Sequence, residues 1–492
     1  HMANPIMPTD FGFNFDNSYL QLPAAFYQKQ APSPVQAPAM LVFNQALANE
    51  LGLNAATLAS QGAAYLAGNR LFAGSEPIAQ AYAGHQFGHF NRLGDGRAIL
   101  LGEHLTTNQQ RLDIQLKGAG RTGYSRSGDG RAALGPMLRE YLISEAMHAL
   151  GVPSTRSLCV TATGEAVYRE EALPGAILCR VAASHLRVGT FQFAAAEQNP
   201  ALLTALADYT IDRHFPDLRA QAQPYLALLE SLIDRQAQLL AQWMQLGFIH
   251  GVMNTDNMSI CGETIDYGPC AFLNRYHTEA VFSSIDKNGR YAYGNQPQMA
   301  LWNLVRLAET LLALIDANQE KAIELARASL ENFNALYANY WLSGMRKKLG
   351  LFNTEDDDHA LVDSLLQLMQ THQADYTQAF RALCHGAFKP SALYQAPEFK
   401  HWVSLWHARL SRQTQSGEES MQLMQSVNPT VIPRNHLVED ALQQAVYAND
   451  LSAFHALLAA ISQPYVASDL NDPYQQAPTT EFDASYKTFC GT

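Results

Sequence analysis

The stretch IHGVMNTDNMSICGETIDYG, Ile249 to Gly268, holds residue types whose spacing suits phosphate transfer. The protein-kinase pattern is H-R-D-x-x-x-x-N followed by D-F-G. Here His250 takes the histidine place, and Asn257, seven residues on, takes the metal-binding asparagine place. Asp266-Tyr267-Gly268 falls where D-F-G would stand, but the position of the proton-accepting aspartate holds Val252. An asparagine at a loop's end and an aspartate at the next strand's end can chelate one divalent cation. Magnesium takes such oxygen ligands and completes its shell with waters and nucleotide phosphates. A lone D-x-G is a common turn. The order, the spacing and the setting lift the set above that: a helix ends at Gly247, a loop follows, and MSICG and ETIDYG read as two short strands around Gly262-Glu263.

Upstream parts fit the same chemistry. Lys117 ends the alternating run RLDIQLKG, where a kinase-type lysine would hold nucleotide phosphates. A lysine at a strand end is more often only solvated. The following helix, however, supplies Glu140, with Glu145 as a second choice, and a glutamate there orients such a lysine. GDGR (Gly94, Gly96, Arg97) and RSGDGR (Asp129, Gly130) put flexible backbone beside guanidinium groups, a combination that cradles phosphate, although each alone is a plausible tight turn. Arg180 and Arg187 stand seven residues apart, one face of a helix if the segment is helical, or simply two surface arginines.

These residues need elements to position them. The 492 residues exceed what a single core normally organises, so two lobes plus accessory helices are expected. Hydrophobic residues make up 47% and charged residues 16%, enough apolar material for a packed globule. A net charge of −12 argues against nucleic acid or an anionic membrane as the main partner. His1-Met2 reads as a cloning remnant, and the residues after it lack the basic and apolar regions of a signal peptide. No apolar run approaches the ~18 residues that span a bilayer. Six scattered cysteines without a C-x-x-C pair suggest a reducing, cytoplasmic setting.

The first ninety residues mix short helical stretches, AMLVFNQALANELGL among them, with turns. Residues 97–181 are β-rich: RAILLGEHL, RLDIQLKG, SLCVTATG, EAVYREE and GAILCRVA, interrupted by the helical LGPMLREYLISEAMHALG. Beyond Ala195 helix dominates, up to an irregular polar tail from Ser468. The expected class is α+β, a protein-kinase-like two-lobed fold with extra N- and C-terminal helical elements. The expected divisions are an accessory region (1–90), a β-rich N-lobe (91–195), a helical C-lobe (196–425) and C-terminal helices with a tail (426–492).

Several long segments resemble the SelO family, the selenoprotein-O-like pseudokinases that act as protein adenylyltransferases. They are AYAGHQFGHFNRLGDGRAILLGE, DIQLKGAGRTGYSRSGDGRAALGPMLREYLISEAMHALGVPSTRSL, SHLRVGTFQF and GFIHGVMNTDNMSICGETIDYGPCAF. The resemblance implies ATP bound inverted relative to kinases, with AMP passed to Ser, Thr or Tyr hydroxyls of proteins, possibly of the chain itself. Carried over by motif, Lys117 and Glu140 steady the phosphates, and Gly94, Gly96, Arg97, Asp129 and Gly130 contact the nucleotide. Arg180 and Arg187 hold the buried phosphate end, Asn257 and Asp266 bind Mg²⁺ or Mn²⁺, and Asp256 is the catalytic base. Cys490 matches the cysteine or selenocysteine near the family's C-terminus, where a redox role and an inert tail residue are both open. Alternatives are UMP transfer from UTP with Mn²⁺, an ordinary phosphotransferase acting on a small molecule or protein, and an inactive nucleotide-binding scaffold.

Overall fold

The alternating and apolar runs become strands for the reason their patterns suggest: each buries at least one face. A computed structural model describes residues 10–86 and 89–487, so Cys490 lies outside the described residues. Among them, nine strands form one antiparallel sheet. They are β1 (Tyr27–Lys29), β2 (Ala39–Phe43), β3 (Ile78–Gln86), β4 (His89–Gly94), β5 (Ala98–Leu105), β6 (Arg111–Lys117), β7 (Ala132–Ala133), β8 (Arg156–Tyr168) and β9 (Ala172–Ala182). The order is β1-β3-β5-β6-β9-β8-β2, with β4 on β3 and β7 on β9.

Strand β6 shows how sequence places chemistry. Its period of two sends Ile114 and Leu116 into an apolar cluster with Ile99, Leu101 and Ile177. Asp113, Gln115 and Lys117 alternate with them and so share the opposite face. There Gln115 stands opposite Arg180 of β9.

The Leu134–Leu150 helix packs on β8 and β9 and ends at Gly151, whose φ of +88° is a left-handed stop. The Asn435–Tyr447 helix covers its other side, which explains why it is buried nearly all round. The Pro224–Leu246 helix ends on Gly247 at φ +76°, and the short strands β10 (Phe248–Ile249) and β11 (Ala271–Phe272) pair antiparallel around the loop between them. The α+β expectation holds as an antiparallel sheet followed by mainly helical chain. Residues 27–86, in the region read as accessory, contribute β1, β2 and β3 to the same sheet.

Several local readings change. AMLVF is strand β2, and only Gln45–Glu50 after it is helical. MSICG and ETIDYG are not a hairpin: Ser259 bridges to Arg187 and Thr264 to Ser154, so both runs serve as ties to other parts of the chain. Within the helical region, Asp358–Thr371 and Tyr376–His385 are separate helices, the second capped by the Asp375 side chain. Asn435–Tyr447 and Ser452–Ile461 are likewise separate helices, and the tail, expected to be irregular, contains a short helix, Thr480–Ser485. Among the described residues one helix, Tyr293–Ile315, is long and apolar enough to cross a bilayer by length and composition. Its Ala300, Leu304, Leu307 and Leu311 are packed in the core.

Candidate active site

The polar face of β6, the end of β9, the 134–150 helix and the loop after Ile249 converge on one cavity of about 480 Å³. Lys117 Nζ lies 3.2 Å from Glu140 Oε1 and 3.2 Å from Asp266 Oδ1. Of the two glutamates of the helix, Glu140 is the one beside Lys117, while Glu145 pairs with Arg156 at 2.9 Å. Arg180 Nη1 reaches Asp266 Oδ1 at 2.6 Å, and Arg187 Nη1 reaches Asp266 Oδ2 at 2.8 Å. Burial works against the Asp266 charge, but Arg180, Lys117 and Arg187 outweigh it and hold the carboxyl well below its usual range. Glu140, also buried, is kept ionised by Lys117 and Arg180.

Arg180 and Arg187 meet for a reason other than helical spacing. Arg180 is in β9, whereas Arg187 caps the Val188–Ala196 helix after the chain has turned, and its guanidinium stacks 4.5 Å over the Tyr82 ring.

Asp266 adopts φ +63°, a region costly for a residue with a Cβ. Neighbours hold it there. Tyr267 N–H donates to Glu140 Oε1 at 3.2 Å, and the Tyr267 hydroxyl is 2.6 Å from Ser154 Oγ. His250 pins the loop: Nε2 donates to Ile265 O at 2.7 Å, Nδ1 accepts from Val252 N–H at 3.3 Å, and the ring stacks on Trp243. Burial keeps this imidazole neutral, as that tautomer requires.

Asp256 and Asn257 lie in the short helical turn Thr255–Asn257. Asn257 Nδ2 donates to Val252 O at 2.9 Å, which leaves Oδ1 as the group available to a cation. Asp256 is 9% exposed and its Oδ1 has no partner. Gly84 makes room for it, since a Cβ at 84 would come 2.5 Å from Asp256 Oδ1, and Gly189 lets the neighbouring Ala83 carbonyl approach, which a Cβ at 189 would strike. Burial pushes the Asp256 carboxyl up to about 6, with Arg187 opposing. Among the described residues, no three His, Cys, Asp or Glu side chains converge as a metal cage. The oxygens of Asn257 and Asp266, with the unpartnered Asp256 Oδ1 nearby, nevertheless suit a hard cation that draws the rest of its shell from phosphates and water.

The remaining candidates divide. Gly96 and Arg97 line the cavity; Gly94 is not among the lining residues but packs against the Tyr124 ring, which a Cβ there would meet at 2.4 Å. Asp129 and Gly130 are not among the lining residues. Asp129 pairs with Arg169 at 2.8 Å on an exposed loop, and Gly130 folds against Gly120 at φ +72°.

Other site residues carried little signal in the sequence. Asp95 is buried, with Oδ2 unpartnered and Oδ1 3.8 Å from Arg187; burial raises its carboxyl despite Arg187 and Arg180. Its place between two glycines in GDGR was the only clue. Arg139 ties the loop down through Gly268 O at 3.0 Å and Asn435 Oδ1 at 3.1 Å. Leu442, Val446, Tyr447 and Tyr486 form a wall from some 180 residues further along the chain, together with Leu173 and Pro136.

A family model described as protein adenylyltransferase SelO matches residues 11–462. Proteins named protein nucleotidyltransferase YdiU are similar over almost the whole chain. That of Geobacillus kaustophilus is 56% identical over 484 residues, covering 98% of this chain and 100% of its own. Those of Bacillus cytotoxicus and Brevibacillus brevis are each 56% identical over 482 residues, covering 98% of both chains. These matches define a nucleotidyltransferase. The chain belongs to the SelO family.

Proposed function

We propose that the cavity binds ATP with its terminal phosphates inward and transfers AMP to a Ser, Thr or Tyr hydroxyl of a protein, releasing pyrophosphate. One observation carries the reading: the cavity is polarised. Lys117, Arg180 and Arg187 gather at one group of walls, where the chain leaving β9 delivers arginines rather than a flat apolar seat for a base. Leu173, Leu442, Val446 and Tyr447 supply apolar surface elsewhere. A polyphosphate suits the first group and a nucleobase the second. The arrangement of sheet, lysine–glutamate helix and loop is read as kinase-like.

In this reading Arg180 and Arg187 leave Asp266 in part to grip the β- and γ-phosphates, and Lys117 stays aligned by Glu140. The acceptor oxygen bonds to the α-phosphorus, the bond to the bridging oxygen breaks toward pyrophosphate, and Asp256 takes the hydroxyl proton. A carboxyl raised toward neutrality is suited to that step, which is worth ~10²–10⁴-fold. Asp256 thus stands in for the base missing at Val252. A divalent cation on Asn257 and Asp266, Mg²⁺ or Mn²⁺, would supply charge neutralisation at the phosphates.

The test uses ATP labelled at either the α- or the γ-phosphate, with Mg²⁺ or Mn²⁺. Retained α-label with free pyrophosphate is expected, and Asp266→Ala abolishes it. Retained γ-label would instead mean a kinase, and full transfer by Asp266→Ala would contradict the site. UTP in the same assay decides the base.

A further inference from the structure

We propose that His185 is a positioning residue: a neutral imidazole, locked by Asp113, that sets the direction in which Arg180 presents its guanidinium to the triphosphate. This rests on reading Arg180 as a phosphate ligand, and the test separates the two claims.

Arg180 is 1% exposed, so every N–H it carries must find an acceptor inside the protein. Nη2 and Nε donate to Gln115 Oε1 at 2.8 and 3.1 Å, and Nε also donates to His185 Nε2 at 3.2 Å. Nη1 is left to face the cavity, where it meets Asp266 and Glu140. An imidazole nitrogen accepts only when it carries no proton, so the His185 proton must sit on Nδ1. Asp113 Oδ2 is there to take it, 2.8 Å from Nδ1 and 2.9 Å from the His185 backbone N–H. Asp113 Oδ1 is held in turn by Arg213 Nη2 at 2.7 Å, and the same Nη2 donates to Ala183 O at 2.7 Å.

The result is a buried chain, Arg213–Asp113–His185–Arg180, running from the Pro200–His214 helix through β6 to the cavity. Nothing in it touches the cavity except the final guanidinium. Burial pushes the His185 imidazole down to about 4 in spite of Asp113, consistent with the acceptor role. A protonated or reversed ring would set an N–H against the N–H of Arg180 and turn the arginine away. The structural cost of building this chain is high, since buried ions stabilise little unless fully paired, and its one evident product is a fixed arginine.

The experiment measures ATP binding with Mg²⁺ by calorimetry on the full chain, together with melting temperature, for His185→Phe, His185→Gln and Arg180→Ala. Glutamine can donate to Asp113 and accept from Arg180, whereas phenylalanine keeps the volume but does neither. His185→Phe should raise Kd about tenfold or more, the loss of one hydrogen bond to a charged group, at unchanged stoichiometry. His185→Gln should return to within about threefold of wild type. A merely structural role would lower the binding stoichiometry and melting temperature in both variants without moving Kd. Unchanged Kd in His185→Phe, with Arg180→Ala impaired, overturns the positioning role alone. Unchanged Kd in Arg180→Ala overturns the phosphate reading on which it stands.

Discussion

At the scale of single residues, charges here hold their states through neighbours rather than through solvent. Asp266 stays ionised because Lys117, Arg180 and Arg187 surround it, and Lys117 and Arg180 do the same for Glu140. Lys348 shows the opposite case. It is 3% exposed and lies over the Phe380 ring at 4.4 Å and the Tyr376 ring at 5.4 Å. Burial lowers its amine to about 7, against roughly 10.4 in an unfolded chain. Between those values the unfolded chain binds the proton and the folded one does not, so this group makes stability rise with pH across that window. Lys348→Met should therefore be more stable than wild type at pH 7. Its advantage should shrink by roughly 3 kcal/mol as pH approaches 9.5, measured by denaturant melts across the range. A gap that stays constant with pH would refute the buried amine as its cause.

At the scale of elements, β6 was legible because period-two alternation separates its core face from its site face, and Lys117 could be placed at its end. Glu140 followed from order along the helix. Arg180 and Arg187 were found, but their geometry was not: a seven-residue spacing looks helical, while a strand followed by a turn brings the two side chains to one carboxylate. The strands expected at MSICG and ETIDYG failed because their partners lie 70 to 110 residues away, at Arg187 and Ser154. The tail was read as irregular, yet the side chain of its Asp483 is 7% exposed, 3.1 Å from Arg275 Nε and 2.9 Å from Asn274 Nδ2. Tyr486 donates to Glu439 at 2.8 Å at the cavity wall. Asp483→Ala removes the charged anchor, worth about 1.5–3 kcal/mol, so the tail should undock roughly ten- to hundredfold more often. Limited proteolysis within residues 468–487 should speed up accordingly while the main melting transition stays put. Equal cleavage rates would show that the tail is held by other contacts.

At the scale of the whole molecule, the polarised cavity makes a simple forecast. If the guanidinium end binds phosphates and the apolar wall binds a base, inorganic triphosphate with Mg²⁺ should raise the melting temperature and adenosine at equal concentration should do little. A ligand at a hundred times its Kd contributes about 2.7 kcal/mol. Arg187→Ala should erase most of the triphosphate effect. Stabilisation by adenosine alone, and none by triphosphate, would invert the assignment of the two ends. Sequence by itself determined the family and the class of chemistry, and it singled out Lys117, Glu140, Asn257 and Asp266 as candidates, because each lies inside a short run whose internal order carries the information. Only the folded chain decided the rest: that Asp95 and Tyr82 line the cavity, that Asp129 and Gly130 are not among its lining residues, and that Glu439, Leu442, Gln443, Val446 and Tyr447 wall it. Those positions depend on which distant segments pack together, and packing is settled by the burial of surfaces that no local pattern records.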